Sequence, residues 1–193
     1  MTYSTIQPPF TLKFREMPKK DLLAYAAWFH DMTPTRIAEL AKAVKGTSGY
    51  ESWEPNATPE SLENLGAWFG GQVERRKRTA EEMATIRAKL TSPIDIADEE
   101  LTNRTFSLAM DLGMYFAQVV LKNVPGTRWE QELRNKKSAE YGQPSVMGAS
   151  RIPLNPVRIL VNVAYGSSHR GTGSLRQLYN TWARTLPTPP SRG

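Results

Sequence analysis

The stretch EELTNRTFSLAMDLGMYFAQVVLKN, residues 99–123, decides the fold. Leu101, Leu108, Leu112, Tyr115, Phe116, Val119 and Val120 recur at helical spacing and cover so much of the circumference that no broad polar face is left. A helix of that kind is buried on most sides, so the stretch predicts a central helix with other elements packed round it. Asp111 lies inside the apolar run and needs a hydrogen-bond partner or a cation once it is buried. A structural pair is the commoner role for such a carboxylate, and a catalytic one the rarer. Val124-Pro125-Gly126 ends the helix. Its most apolar part is 14 residues long, 108–121, with Asp111 inside, too short and too interrupted to cross a bilayer.

Downstream, RWEQEL and PSVMG read as two short strands joined by the polar stretch RNKKSAEYGQ. NPVRILVNVAYG reads as a helix with Asn155 as cap, Pro156 in the first position and Gly166 as terminator. The loop SSHRGTG follows. A last helix carries Leu175, Leu178, Tyr179, Trp182 and Leu186 as its stripe, with Ser174 as cap.

Upstream, Phe10, Leu12 and Phe14 alternate with polar residues, the pattern of a half-buried strand. PKKDLLAYAAWF then reads as a helix with Leu22, Ala26 and Phe29 on one face and His30 near its end. A break at Asp31-Met32 separates it from a second helix, TPTRIAELAKAVKG, capped by Thr33, opened by Pro34 and closed by Gly46. GTSGYESWEPNA is a loop by composition. Leu62, Leu65 and Phe69 mark the next helix, and Thr79-Ala80-Glu81-Glu82 reads as a capping box for another, with Met83, Ile86 and Leu90 turned inward.

The result is an α+β, mostly helical fold: six or seven helices around a short two- to three-stranded antiparallel sheet. Residues 1–186 are expected to form a single globular domain and 187–193 a disordered tail. The 193 residues, 39% of them apolar, suffice for a real core. The chain has no cysteine, which excludes a disulfide scaffold and a cysteine nucleophile, and only two histidines, His30 and His169. No metal site, cofactor motif or catalytic constellation is legible, and no enzymatic activity is expected. The start lacks the pattern of a signal peptide, so a cytoplasmic location is expected.

The net charge of +6 is unevenly placed. Residues 134–193 hold nine cations, among them Arg134, Arg151, Arg158, Arg170 and Arg176, against Glu140 alone. Such a separation draws an anionic partner to one surface, unless these arginines pair with acids from the first part of the chain. Arg75-Arg76-Lys77-Arg78 is the densest basic run and reads as a helix-to-helix junction answered by nearby glutamates. His169 lies in a loop without a nucleophile beside it. Glu130 and Glu132 share one face of the predicted strand and read as a solvated face rather than as a glycosidase pair.

Over residues 100–185, the order of parts is a buried helix (MDLGMYFAQVVLKN), a Trp-bearing strand (RWE), a Gly-Gln-Pro strand (YGQPSVMG), an Asn-Pro helix (LNPVRILVNVAYG) and a Tyr-containing last helix (LRQLYNTWAR). This order resembles an arrangement in small uncharacterised bacterial proteins, some of which are taken to be immunity proteins encoded beside secreted polymorphic toxins. The resemblance implies a cytoplasmic protein that acts by binding a cognate toxin, and it brings no catalytic residues. The surface expected to carry that contact comprises Arg151, Arg170, Arg176, Tyr141, Tyr165 and Trp53, because interfaces favour Arg, Tyr and Trp. The alternative is a nucleic-acid- or nucleotide-binding regulator using the same basic region.

Overall fold

The computed structural model describes residues 3–90, 95–170, 174–187 and 189, leaving aside the side chains of 167–170. Six helices and two small antiparallel strand pairs make up these residues, a mostly helical α+β fold. The helices are α1 (Lys19–Lys45), α2 (Ser61–Gln72), α3 (Ala80–Lys89), α4 (Asn103–Asn123), α5 (Pro156–Arg170) and α6 (Leu175–Thr185). The strands are β1 (Arg75–Lys77), β2 (Glu99–Leu101), β3 (Arg128–Gln131) and β4 (Pro144–Met147). β1 pairs with β2, and β3 with β4.

Helix α4 is the central element that its apolar pattern predicts. Fourteen of its 21 residues are buried, including Leu108, Leu112, Tyr115, Phe116, Val119 and Val120. Thr102 caps it by accepting the amide of Thr105 at 3.3 Å. α1, α2, α5 and α6 all pack on it. The closest approach is to α5: a Cβ on Gly113 would lie 2.9 Å from the backbone of Val157, so glycine is what lets these two helices touch. Asn155 caps α5 as expected, accepting the Arg158 amide at 3.1 Å. The Thr79 capping box on α3 also forms, with Glu82 amide to Thr79 Oγ1 at 3.2 Å and Thr79 amide to Glu82 Oε2 at 2.8 Å.

Five local expectations are corrected. The two helices expected on either side of Asp31-Met32 are one continuous helix, α1, with Pro34 inside it and His30 in mid-helix rather than at an end. Pro34 removes one helical hydrogen bond, and an interior proline costs about 3 kcal/mol. The core outweighs that: Leu22 and Phe29 before the proline and Ile37, Leu40 and Val44 after it are all buried. The Thr33 hydroxyl bonds back to the Phe29 carbonyl at 2.8 Å rather than capping. Second, residues 10–14 form no strand, because no strand among the described residues pairs with them. Phe10 and Phe14 instead turn edge-on to Tyr25 at 5.6 and 4.9 Å between ring centres.

Third, the first turn expected of the central helix is β2, and the basic run is β1, its partner (Arg75 opposite Leu101, Lys77 opposite Glu99). Fourth, α3 has no buried residue, so Met83, Ile86 and Leu90 do not carry it into the core. Fifth, Gly166 does not end α5, which runs on to Arg170; a lone glycine costs a helix only about 1 kcal/mol relative to alanine. Ser174 holds the N-cap position of α6 without a side-chain cap bond. Most of the segment from 187 onward lies outside the described residues.

Candidate functional site

The β3–β4 hairpin, expected from RWEQEL and PSVMG, builds a mainly polar hollow. Trp129 is opposite Val146, and Glu130 opposite Ser145. Strand alternation puts these two pairs on opposite faces. Val146 is buried and Trp129 packs against the core. Glu130 and Ser145 therefore face the other way, into a cleft of about 750 Å³. The connection between the strands, the turn after β4 and the start of α1 complete its walls, contributing Lys19, Glu132, Arg134, Glu140 and Arg151.

The charges of this cleft are unequally satisfied. Each carboxylate has a partner: Glu130 pairs with Arg128, and Glu140 with Arg158 at 2.6 Å and with the Asn155 amide at 2.7 Å. Glu132 Oε1 accepts the amides of Arg134 at 2.6 Å and Asn135 at 3.0 Å. The amides of Asn135 and Arg134 hold the Glu132 carboxyl below the usual carboxylate range. It is thus set as a fixed anion and not as a proton donor. Lys19, Arg134 and Arg151 are exposed and make no side-chain hydrogen bond or close ion pair among the described residues, although the charge of Arg134 also acts on Glu132. Ser145 is 4% exposed, and its hydroxyl has no hydrogen-bond partner among the described residues. An unpartnered buried hydroxyl costs about 1–3 kcal/mol.

Arg151 stands on a constrained turn. Its φ is +60°, in the left-handed region that non-glycine residues rarely occupy. The turn is held on both sides: the Ser150 amide donates to the Leu186 carbonyl at 3.0 Å, and the Ile152 amide to Ser150 Oγ at 3.2 Å. Gly148 packs so closely on Leu186 that a Cβ there would overlap the Leu186 carbonyl. Ile152, next along, is 49% exposed. Arg151 thereby borders the cleft on backbone that is already fixed, with the exposed Ile152 next to it in the chain.

The other expected contact residues fall elsewhere. Trp53 is 5% exposed and donates from Nε1 to the Ser61 carbonyl at 2.9 Å; Tyr141 is 6% exposed and packs in the aromatic cluster with Tyr25 and Phe29. Both are core residues, so neither is offered to a partner, and the loop composition round Trp53 hid that burial. Tyr165 is exposed, with its ring against Phe106 and the Arg75 guanidinium. Arg176 is half-buried, paired with Glu60 at 3.1 Å and lying over the Tyr179 ring. The side chains of Arg170 and His169 lie outside the described residues. Arg151, Tyr165 and Arg176 thus have three separate sets of neighbours and form no single patch.

Sequence reasoning missed Lys19, Arg134 and Ser145. Arg134 stood in the charge count, but only the hairpin register and the course of α1 bring these three together. The basic run at 75–78 is largely spent internally: Arg75 donates to the Tyr165 carbonyl at 2.7 Å, Arg76 pairs with Glu82 at 2.7 Å, and Arg78 meets Glu100 at 3.4 Å. Among the described residues there is no cluster of three or more His, Cys, Asp or Glu fit to hold a metal ion, and no helix is long and apolar enough to cross a membrane. In comparisons with known proteins, no family model, curated protein or solved structure matches this chain.

Proposed function

We propose that this chain is a cytoplasmic binding protein without catalytic activity that neutralises a cognate toxin domain by covering its active site, and that the cleft beside the β3–β4 hairpin takes an acidic segment of that toxin. The observation that carries the reading is the imbalance within the cleft: every carboxylate is engaged, while Lys19, Arg134 and Arg151 make no side-chain hydrogen bond or close ion pair among the described residues. An incoming Asp or Glu gains charge-assisted hydrogen bonds there. The preset turn lowers the ordering cost that association otherwise carries. Ile152 beside Arg151 supplies the apolar contact that a buried interface centre needs.

The test is co-expression of the gene next to this one, with and without this chain, together with binding of the two purified proteins at several salt concentrations. Protection by the chain, and an association that the Arg151→Glu and Arg134→Glu changes slow, is the expected result, since rim charges act mainly on association rate. A harmless neighbour overturns the toxin reading. A chain that fails to bind it at low salt but binds RNA or DNA with a steep salt dependence is instead the nucleic-acid-binding regulator.

A further inference from the structure

A second cavity of about 670 Å³ lies on the other side of β4, under the N-terminal segment. It shares no lining residue with the hairpin cleft: Pro144 borders the cavity and Ser145 the cleft. The chain carries 25 Lys or Arg and 19 Asp or Glu, yet none of them lines this cavity. Its walls are Phe14, Tyr25, Phe29 and Phe106, with Met110 and Val161. Four carboxamides also border it: Asn155 donates to Gln143 at 3.0 Å, whereas Gln7 and Asn103 make no side-chain hydrogen bond among the described residues.

The roof is tied down at both ends. On one side the Ile6 amide donates to Ser107 Oγ at 2.7 Å and the Tyr3 hydroxyl bonds Ser107 at 2.8 Å and Asp111. On the other, Phe10 and Phe14 pack edge-on against Tyr25. Between these anchors Leu12 borders the cavity with φ at +56° and 40% of its surface exposed. Strained backbone persists only where its surroundings impose it, and it gathers at ligand sites.

We infer that this cavity binds a small uncharged amphipathic molecule, with an aromatic body against the phenyl walls and one amide or hydroxyl group between Gln7 and Asn103. The volume lies within the range of ligand pockets, about 300–1,000 Å³, and the mix of apolar wall and few polar groups is theirs. A charged ligand finds no counter-charge here and would lose its hydration without return. The inference is independent of the proposed toxin binding, which uses the other face of β4.

Three probes with one naphthalene ring test it on the full chain: 2-naphthamide, 2-naphthoate and 2-naphthylmethylammonium, followed by amide NMR shifts and calorimetry. Naphthamide is expected to bind with Kd about 1 mM or tighter and to shift the amides of residues bordering the cavity. The two charged probes should bind at least about tenfold more weakly. Val161→Trp fills the cavity from α5 and should lower naphthamide affinity at least about tenfold. Should that variant melt early, Thr5→Trp, on the exposed roof, replaces it with the same expectation. Asn103→Leu should weaken naphthamide several-fold but leave 2-methylnaphthalene binding unchanged. No shifts with naphthamide, equal binding of all three probes, or affinity that survives both tryptophan variants overturns the inference.

Discussion

Arg36 and Asp111 meet in the interior as a two-point ion pair, Nε to Oδ1 at 2.8 Å and Nη2 to Oδ2 at 2.7 Å, joining α1 to α4. Burial pushes the Asp111 carboxyl up, and the hydrogen bonds from Arg36 work against that push. The N-terminal segment is threaded through the same pair: Arg36 also donates to the Ser4 carbonyl at 2.8 Å and to the Tyr3 hydroxyl at 2.9 Å. Asp111 is thus a structural hub, and the partner it needed from sequence is supplied by a helix 75 residues earlier.

Removing one member of that pair should be far worse than removing both. Arg36→Ala leaves a buried carboxylate uncompensated and is expected to cost about 3–5 kcal/mol in denaturant melts. The Arg36→Leu, Asp111→Leu double variant should recover much of the loss, because no charge is then stranded. A double variant as unstable as the single one would mean that the hydrogen bonds to Tyr3 and Ser4, rather than the charge pair, hold the junction.

The centre of α4 gives a simpler test. Leu112 is fully buried among α4's neighbours, and Leu112→Ala should cost about 2–5 kcal/mol. Gly113→Ala probes a different force, because the added methyl meets the Val157 backbone at 2.9 Å and must push α5 away. A loss under about half a kcal/mol for Leu112→Ala would place the core elsewhere.

Acid should act on the β1–α3 corner. The Arg76 hydrogen bond and the Thr79 amide push the Glu82 carboxyl down to about 2, from an ordinary value of 4.5. The folded value is below the unfolded one, so ionised Glu82 favours the fold. Its contribution is present above about pH 4.5 and disappears as pH falls towards 2. NMR titration of the Glu82 side chain should show a midpoint near 2, and Glu82→Gln should remove the difference between melts at pH 5 and pH 2.5 that this group causes.

The helices and the hairpin were legible because their signals are local: the apolar circumference of α4, the Asn155 cap, the Thr79 capping box and the period of β3 and β4. What escaped was decided at a distance. Pro34 is a good helix start by every local rule, and α1 runs through it only because Arg36 and Ile37 are fixed to the core beyond it. Phe10, Leu12 and Phe14 alternate as a strand does, yet no partner strand comes near them. Arg151 was legible as a surface cation, but its left-handed turn and its place beside Lys19 and Ser145 come from tertiary packing. Trp53 was misplaced because a loop's composition says nothing about whether it folds back on a core.

Arg151 and Ser145 separate binding from folding. Arg151 has φ at +60°, a conformation that glycine adopts without strain. Arg151→Gly therefore keeps the turn, removes the guanidinium, and should leave the melting temperature unchanged or slightly raised. Ser145→Ala deletes a buried hydroxyl that has no partner among the described residues, so it too should not destabilise the fold. If the cleft takes an acidic segment, Arg151→Gly still weakens association, while Ser145→Ala leaves it unchanged, because the Ser145 hydroxyl is closed off from the cleft. Arg151→Gly should cost about tenfold or more in Kd, in the range for a charged anchor at an interface. Its loss should shrink at high salt, where the rim charges are screened. Unaltered binding by Arg151→Gly, in protein with a wild-type melt, would move the partner surface away from this cleft.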